Sequence, residues 1–318
     1  MTHARSFPRH LVFASSMALM AVVSAFAPQP ASGAEGACKH ERVARLPLRN
    51  DAGFLNAPVE INGHPASMIV DTGSEGSLIS PEGADQFGLS LDPSVHTVVR
   101  GTGGLGRLVP NVIVQSFKMG GLETGPLSIP VGYLPGKPQT QPPIEGLVGG
   151  DLLSRYDVEF DVAGGWLTFW DTSKTSAVCA GPQDWHVIYR ALPMQFDGRR
   201  VTIQVELDGK PLKALVDSGA RSRIVSEAVV ARLGVTSTML EADPGGITSG
   251  VDGHRQVYHW HKFRSLKYGL EEEKAPVLTV APIQDSVDML LGSDWFAAHK
   301  VWISYRTGKL YVMPSLKR

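Results

Sequence analysis

The chain has 318 residues, a net charge of −1, 19% charged residues, 34 glycines and 22 prolines. A charge near zero, with no basic stripe, gives no reason to expect a nucleic-acid partner. Abundant glycine and proline favour short strands joined by many turns.

The first 34 residues predict a signal peptide. Arg5 and Arg9 give a positive start, residues 11–27 form an apolar core, and residues 31–34 are small. A retained membrane anchor is the alternative, although serines interrupt the core and it is short for a bilayer span. We therefore expect a periplasmic or secreted protein, with no stable membrane span after leader removal.

A short motif occurs twice, and the rest of the chain is organised around it. Val70-Asp71-Thr72-Gly73-Ser74 recurs 146 residues later as Val216-Asp217-Ser218-Gly219-Ala220. Each copy ends an apolar run, so we predict a β-strand leading into a tight glycine turn that presents a carboxylate. A single copy could arise by chance, but two copies in phase with a repeat indicate a duplicated unit.

Identical residues at the same offset extend beyond the motif. They are Leu46/Leu192, Pro47/Pro193, Asp51/Asp197, Val59/Val205, Glu60/Glu206, Gly63/Gly209, Pro65/Pro211, Ser80/Ser226 and Gly88/Gly234.

The doubled motif resembles the pepsin/retropepsin clan of aspartic proteases, and most closely the bacterial exported retropepsin-like proteases with both lobes in one chain. A second shared element is a hydrophobic-hydrophobic-glycine stretch before a short helix, present as Leu147-Val148-Gly149 and Leu290-Leu291-Gly292. The resemblance covers nearly all of the chain after the leader. It implies an all-β fold with few short helices, in which two similar β-barrel lobes are related by an approximate two-fold axis.

We place lobe 1 at residues 42–171, an interlobe linker at 172–190 and lobe 2 at 191–318. The elements predicted in lobe 1 are strands around 58–61 and 66–70, a helix over 81–87, a hairpin over 97–109, and strands over 156–162 and 166–170. Those predicted in lobe 2 are strands over 201–207 and 211–216, a helix over 226–233, a glycine-rich segment at 245–251, a strand over 256–266 and a last hairpin over 301–312.

The hairpin tip in lobe 1 is rich in glycine, with Gly101, Thr102, Gly103 and Gly104. Its position after the first motif matches the flap of the family, and mobile glycine-rich loops commonly serve as lids. An ordinary flexible hairpin is the alternative. The tip has no tyrosine like the one that pepsins place over the substrate, so flap hydrogen bonds would come from the backbone.

Asp71 and Asp217 are the candidate catalytic pair. Two adjacent carboxyl groups cannot both ionise easily, so one keeps its proton and the pair shares it across a bound water. The ionised group would take a proton from the water, while the protonated group would hydrogen-bond the substrate carbonyl. No cofactor or metal is expected.

The neighbours of the pair are candidate supporting residues. Gly73 and Gly219 permit a sharp turn and direct N–H groups toward the carboxylates. The family resemblance implies that the hydroxyl groups of Thr72 and Ser218 brace the two loops against each other.

One difference between the motifs predicts an unequal pair. Ser74 could hydrogen-bond the carboxylate of Asp71, whereas Ala220 at the matching position cannot. We therefore expect Asp217 to be the less stabilised anion and to hold the shared proton more often.

Other polar residues receive simpler interpretations. Cys38 and Cys179 could form a disulfide between the N-terminal tail and the linker in an oxidising compartment, with two free thiols as the alternative. Asp151 and Asp294 are expected to cap the helices after the late glycines. These helices lack the arginine common after that glycine in retroviral enzymes.

The sequence therefore predicts an aspartic endopeptidase acting on extended protein or peptide substrates. The alternative is a catalytically silent, two-lobed peptide-binding protein of the periplasm. Because duplication makes dimerisation unnecessary for the site, we expect a monomer.

Overall fold

The computed structural model describes residues 40–101, 104, 106–134, 136–173, 181–182, 184–249 and 255–314. Strands dominate these residues, and the five helices among them have at most six residues each. The predicted all-β class with two similar retropepsin-like lobes is confirmed. No helix in these ranges is long and apolar enough to cross a membrane.

The strands of the first half are β1 Glu41–Pro47, β2 Arg49–Asp51, β3 Phe54–Ile61, β4 His64–Val70, β5 Leu78–Ile79, β6 Ser90–Arg100, β7 Gly106–Val114, β8 Phe117–Met119, β9 Leu122–Thr124, β10 Leu127–Pro130, β11 Ile144–Val148, β12 Asp157–Asp161 and β13 Trp166–Asp171. Its helices are α1 Pro81–Gln86 and α2 Gly150–Leu153.

The strands of the second half are β14 Arg190–Pro193, β15 Gln195–Asp197, β16 Arg200–Leu207, β17 Lys210–Val216, β18 Ile224–Ser226, β19 Gly245–Ser249, β20 Arg255–Lys262, β21 Ser265–Tyr268, β22 Glu271–Lys274, β23 Val277–Ala281, β24 Met289–Leu291, β25 His299–Ser304 and β26 Lys309–Pro314. Its helices are α3 Glu227–Arg232, α4 Ser237–Ala242 and α5 Ser293–Ala298.

The duplication is visible in the turns that precede the motif strands. Asn62 and Gly63 join β3 to β4 with φ angles of 49° and 81°, and Asp208 and Gly209 join β16 to β17 with φ angles of 51° and 82°. Two consecutive left-handed residues define the hairpin turn that Asn-Gly and Asp-Gly favour. The sequence pattern and the backbone angles therefore both place a tight hairpin turn directly before each motif strand.

Each lobe contains a mixed sheet that carries its aspartate. In the first lobe, β4 lies between β3, which is antiparallel to it, and β11, which is parallel. In the second lobe, β17 lies in the same way between β16 and β24. A parallel neighbour requires a long crossover connection, and here that connection includes the hairpin predicted as the flap.

A six-stranded sheet joins the two halves and was not predicted from the sequence. Its order is β1-β13-β12-β25-β26-β14, so each half contributes three strands. The junction lies between β12 and β25, where Phe160 pairs with Val301 and Val158 with Ile303. Both lobes therefore share one continuous backbone hydrogen-bond network and one hydrophobic core.

One face of this sheet is covered by aromatic residues, including Trp185 from the predicted linker. The indole N–H groups of Trp170 and Trp185 each donate to the buried carboxylate of Glu159 at 3.0 Å. The ammonium group of Lys300 lies 2.7 Å from the same carboxylate. Trp185, within the predicted linker, is thus fixed to the sheet through a satisfied buried charge.

Helix α4 was not predicted and follows α3 in the second half. Its start carries a recognisable signal, because the hydroxyl of Thr236 accepts a hydrogen bond from the N–H of Met239 at 3.2 Å. This is the N-cap geometry that threonine provides, and Pro244 lies just beyond the end of the helix.

Candidate active site

The two aspartates follow directly after the central strands of their lobes. The N–H of Asp71 donates to the carbonyl of Val148 at 2.9 Å, and the N–H of Asp217 donates to that of Leu291 at 3.0 Å. Val148 and Leu291 are the last residues of β11 and β24, the parallel neighbours of the motif strands. The late hydrophobic-glycine elements therefore hold the backbone of both aspartates in equivalent positions.

The structure brings the carboxyl groups of Asp71 and Asp217 together. A hydrogen bond joins them, Asp217 is buried, and Asp71 is partly exposed. Within each loop, the N–H of the motif glycine donates to its own aspartate, from Gly73 at 2.9 Å and from Gly219 at 3.0 Å. Residues far apart in sequence thus form a compact pair of acids.

Thr72 and Ser218 connect the two loops through four hydrogen bonds. The N–H of Thr72 donates to the Ser218 hydroxyl at 3.0 Å, and the N–H of Ser218 donates to the Thr72 hydroxyl at 3.0 Å. Each hydroxyl then donates across the interface at 2.6 Å, Thr72 to the carbonyl of Val216 and Ser218 to that of Val70. Both residues are fully buried, so the bonds form without competition from solvent.

Each motif glycine also lies against the aspartate of the other lobe. A Cβ atom added to Gly73 would lie 2.4 Å from Cγ of Asp217, and one added to Gly219 would lie 2.3 Å from Cγ of Asp71. Atoms cannot approach so closely without displacement. The absence of a side chain at these two positions is therefore what allows the carboxyl groups to meet.

Burial raises the pKa of both acids. For Asp71 the neighbouring charge of Asp217 raises the pKa further, well above its ordinary value of 3.8. For Asp217 the raised pKa is moderated by N–H donation from Ala220 and Gly219, then by the hydrogen bond with Asp71, and least by the positive charge of Arg200. A pair of this kind retains one proton over the pH range in which an isolated aspartate has lost its own.

Ser74 does not make the side-chain bond expected from the sequence. Its hydroxyl donates to the carbonyl of Gly76 at 2.8 Å, and only its N–H acts on the carboxylate of Asp71. At the matching position the N–H of Ala220 donates to Asp217 at 3.0 Å. The backbone therefore supports the two acids alike, and the expected difference between Ser74 and Ala220 is lost.

The hairpin predicted as the flap is formed by β6 and β7. Gly101 and Gly104 are described at its tip, where the N–H of Gly104 donates to the carbonyl of Gly101 at 3.0 Å, while Thr102 and Gly103 lie outside the described residues. Gly104 has a φ of 80°, and a Cβ there would lie 2.5 Å from Oε1 of Gln284. The tip of the first hairpin thus reaches the second lobe.

The helices after the late glycines are joined to the aspartate loops by a second symmetric contact. In lobe 1 the hydroxyl of Ser77 donates to Asp151 at 2.7 Å, and in lobe 2 the guanidinium of Arg223 pairs with Asp294 at 2.9 Å. Ser77 and Arg223 are 146 residues apart, the offset of the repeat. The helix after the late glycine of lobe 2 lacks the arginine that is common in retroviral enzymes. In its place this helix supplies Asp294, the carboxylate of an ion pair with Arg223.

The expected capping role of these aspartates is met only in part. The N-cap positions are Gly149 and Gly292, while each carboxylate accepts the next backbone N–H, from Leu152 at 3.0 Å and from Trp295 at 2.9 Å. Trp295 itself is buried in the core.

A cluster of charges around Arg200, at the interface between the lobes, was missed by the sequence analysis. The guanidinium of Arg200 contacts Asp285 at 2.6 Å and Asp197 at 2.8 Å, and its Nε lies 3.8 Å from Glu75. The repeat offset carries a signal for this cluster, since the residue matching Arg200 in the first half is Phe54. A charge at a position that is apolar in the other copy marks a local difference between the lobes.

Cys38 and Cys179 both lie outside the described residues, so their pairing stays a prediction. In the described part of the chain, no group of three histidine, cysteine, aspartate or glutamate side chains could hold a metal ion.

A two-lobed β fold with paired Asp-Thr/Ser-Gly loops defines the class of protein. A family model described as aspartyl protease matches the chain twice, over residues 57–152 and 203–295. The two matches cover the motif strand, the aspartate loop and the late glycine element of each lobe. The chain belongs to the aspartyl protease family.

Similar proteins include DNA damage-inducible protein 1 of Chaetomium globosum, which is 30% identical over 116 residues. The same protein of Cryptococcus neoformans var. neoformans serotype D is 30% identical over 112 residues. Each match covers 35% of this chain but only 23% and 24% of the respective relative. The chain thus corresponds to less than a quarter of these relatives.

Proposed function

We propose that the protein is an aspartic endopeptidase that hydrolyses peptide bonds of extended polypeptide segments. The observation that carries this proposal is the hydrogen-bonded pair of Asp71 and Asp217, each presented by an equivalent loop of its lobe. The bonds between Thr72 and Ser218 support it, since they hold the two loops at a fixed separation.

The reaction follows from a pair that shares one proton. The ionised carboxylate accepts a proton from a water held between the two groups, and the water oxygen attacks the peptide carbonyl carbon. The protonated carboxyl donates to the carbonyl oxygen, giving a neutral tetrahedral diol. Proton transfer to the amide nitrogen then allows the C–N bond to break, which yields a carboxylic acid and an amine and returns one proton to the pair.

The substrate lies in an extended conformation between the lobes and beneath the β6–β7 hairpin. Extended peptides bind strand edges through backbone hydrogen bonds, which place the scissile carbonyl with little dependence on side chains. The contact of Gly104 with Gln284 supports a lid role for the hairpin, because it spans from the first lobe to the second.

We further propose that the protein acts outside the cytoplasm as a monomer. The predicted leader over residues 1–34 supports export, and its cleavage would leave no membrane span. Both aspartates come from one chain, so the pair is complete without a second copy. Both proposals agree with the resemblance of the sequence to exported bacterial retropepsin-like proteases.

Cleavage of an unbiased peptide library by the mature chain at pH 4 to 7 tests the proposal. Asp71→Asn and Asp217→Asn should each abolish cleavage, and an active-site inhibitor of aspartic proteases should do the same. Equal cleavage by all forms would contradict the assignment of the pair. Peptide binding without cleavage by the folded parent would instead favour the silent peptide-binding alternative.

A further inference from the structure

We propose that Arg221 is a specificity-determining residue that binds an acidic side chain of the substrate on one side of the scissile bond. The inference deepens the proposed protease function and rests on it. Its basis is a cation that directly follows the loop of Asp217, is fixed against the first lobe, and is left without an acidic partner.

The backbone places Arg221 at the end of the second aspartate loop. The preceding residue, Ala220, donates its N–H to the carboxylate of Asp217 at 3.0 Å. The carbonyl of Arg221 accepts the hydroxyl of Ser293 at 2.8 Å. Four residues of chain span at most about 14 Å, and an extended peptide advances about 3.3 Å per residue. A side chain bound by Arg221 therefore belongs to a residue within about five positions of the scissile bond.

The side chain of Arg221 is fixed against the first lobe. A Cβ atom added to Gly53 would lie 3.0 Å from Cβ and 3.2 Å from Cγ of Arg221, so the stem rests on the turn between β2 and β3. The guanidinium lies 5.4 Å from the ring centre of Phe54, a cation–π contact. Phe54 packs in an apolar cluster with Ile69 and with Val99 of β6. The cation thus borders the cluster that the β6–β7 hairpin also contacts.

The charge of Arg221 is available to a ligand. Arg221 is exposed, and no carboxylate in the described part of the chain forms an ion pair with it. Two residues further on, Arg223 is satisfied by Asp294 at 2.9 Å and by Glu273. A guanidinium has five donors in a planar fork that matches a carboxylate. Arg221 therefore retains the donors that Arg223 has already used.

The matching position in the first lobe has the opposite charge and is occupied differently. The repeat offset pairs Arg221 with Glu75. The carboxylate of Glu75 lies 3.8 Å from Nε of Arg200 and accepts the N–H of Arg199 at 3.1 Å. An acid engaged at the lobe interface therefore stands where the second lobe has an unpaired cation. A substrate acid should be favoured on one side of the scissile bond only.

The size of this preference follows from the exposure of Arg221. Ion pairs on a protein surface contribute little, so a substrate with glutamate in place of glutamine should gain about 2- to 5-fold in kcat/KM. The gain should fall as salt is added, because the contact is screened. It should also fall near pH 4, where glutamate takes up its proton.

Paired peptides that differ only by glutamate or glutamine test the inference. The pair is placed at each of five positions on either side of the scissile bond, and kcat/KM is measured at pH 6. Arg221→Met keeps an apolar stem beside Phe54 but removes the charge, so the ratio of glutamate to glutamine peptide should fall to about 1. The glutamine peptide should be cleaved at the parental rate. Arg221→Glu should disfavour glutamate at the same positions.

Arg232→Met is the matched control, since it removes the same charge from an exposed site on α3. Its ratio should equal that of the parent. The inference is overturned if Arg221→Met keeps the parental ratio, or if Arg232→Met lowers the ratio as far. Equal preference for glutamate on both sides of the scissile bond would also overturn it. So would an Arg221→Met variant that cleaves both peptides of a pair equally less well, since that result indicates a purely structural role.

Peptide binding to the Asp71→Asn variant separates this inference from the protease function. Fluorescence anisotropy measures the Kd of the same peptide pairs without cleavage. Tighter binding of the glutamate peptide, lost in Asp71→Asn/Arg221→Met, would support the role of Arg221 even if the parent did not cleave. Equal Kd values for the two peptides at every position would overturn that role even if the parent were an active protease.

Discussion

Thr72 and Ser218 donate their backbone N–H groups to each other's hydroxyl at the same distance of 3.0 Å. The exchange occurs between fully buried residues that are 146 positions apart. Each hydroxyl is both an acceptor and a donor, so replacing one residue leaves polar groups unpaired in both lobes.

Thr72→Val should therefore destabilise the protein by about 1–3 kcal/mol, because the N–H of Ser218 and the carbonyl of Val216 lose their partner. Urea unfolding measures this difference, and kcat should fall as the loops lose their alignment. Thr72→Ser keeps the hydroxyl and serves as the control. A Thr72→Val variant with parental stability would show that the buried bonds contribute little.

Gly73→Ala should reduce kcat/KM by about 100-fold or more, because its Cβ would overlap the carboxyl of Asp217 and displace an acid that must stay in position. Gly76→Ala is the matched control in the same loop, since a Cβ there meets no atom within 4 Å. Steady-state kinetics on both folded variants separates the two. Equal activities would contradict the close contact between Gly73 and Asp217.

Asp217→Asn should stabilise the fold near neutral pH while abolishing activity. Burial raises the pKa of Asp217 above 3.8, so the folded state holds its proton more tightly than the unfolded chain. Stability linked to this group is therefore present at low pH and is lost as the pH rises from about 3.8 through the raised pKa. The variant escapes this loss and should be more stable than the parent at pH 7.

Thermal unfolding at several pH values checks this prediction. The advantage of Asp217→Asn should shrink as the pH falls below 4, where the parent acid is protonated in both states. Asp85→Asn, an exposed change on α1, is the control and should alter stability little. An Asp217→Asn variant that is less stable than the parent at pH 7 would contradict the cost assigned to the ionised pair.

Glu159→Gln should destabilise the protein by about 1–3 kcal/mol, because both indole N–H groups lose a charged acceptor and Lys300 keeps only Asp161, at 3.3 Å, as a counter-charge. Glu272→Gln is a suitable comparison, since Glu272 pairs with Lys267 at 3.9 Å on the surface. An exposed pair of this kind contributes about 0–1 kcal/mol. Chemical unfolding of the two variants should rank them in that order.

Much of the fold could be predicted because the repeat constrained it. Asn62-Gly63 and Asp208-Gly209 identified the hairpins, and the apolar runs before Asp71 and Asp217 identified the central strands. The shared sheet could not be predicted, because the pairing of Phe160 with Val301 joins strands about 140 residues apart whose patterns fit several neighbours.

The backbone arrangement of the site could be predicted from the sequence, whereas several of its side-chain contacts could not. The pairing of Asp71 with Asp217 followed from the duplicated motif. The bond of the Ser74 hydroxyl to Gly76 did not, because a serine in a turn has several acceptors within reach. The cluster around Arg200 depends on contacts between segments distant in sequence, and only a comparison of the two copies position by position could have indicated it.

The sheet formed by three strands from each half has a consequence for how such a molecule can diverge. In an enzyme built from two identical subunits, every substitution appears on both sides of the cleft. Here β12 pairs with β25, so each half is joined within one chain to a half of different sequence. A difference such as phenylalanine at 54 and arginine at 200 therefore affects one side of the cleft alone. Because the two halves are joined covalently and by backbone hydrogen bonds, the sequence of each half can change independently of the other.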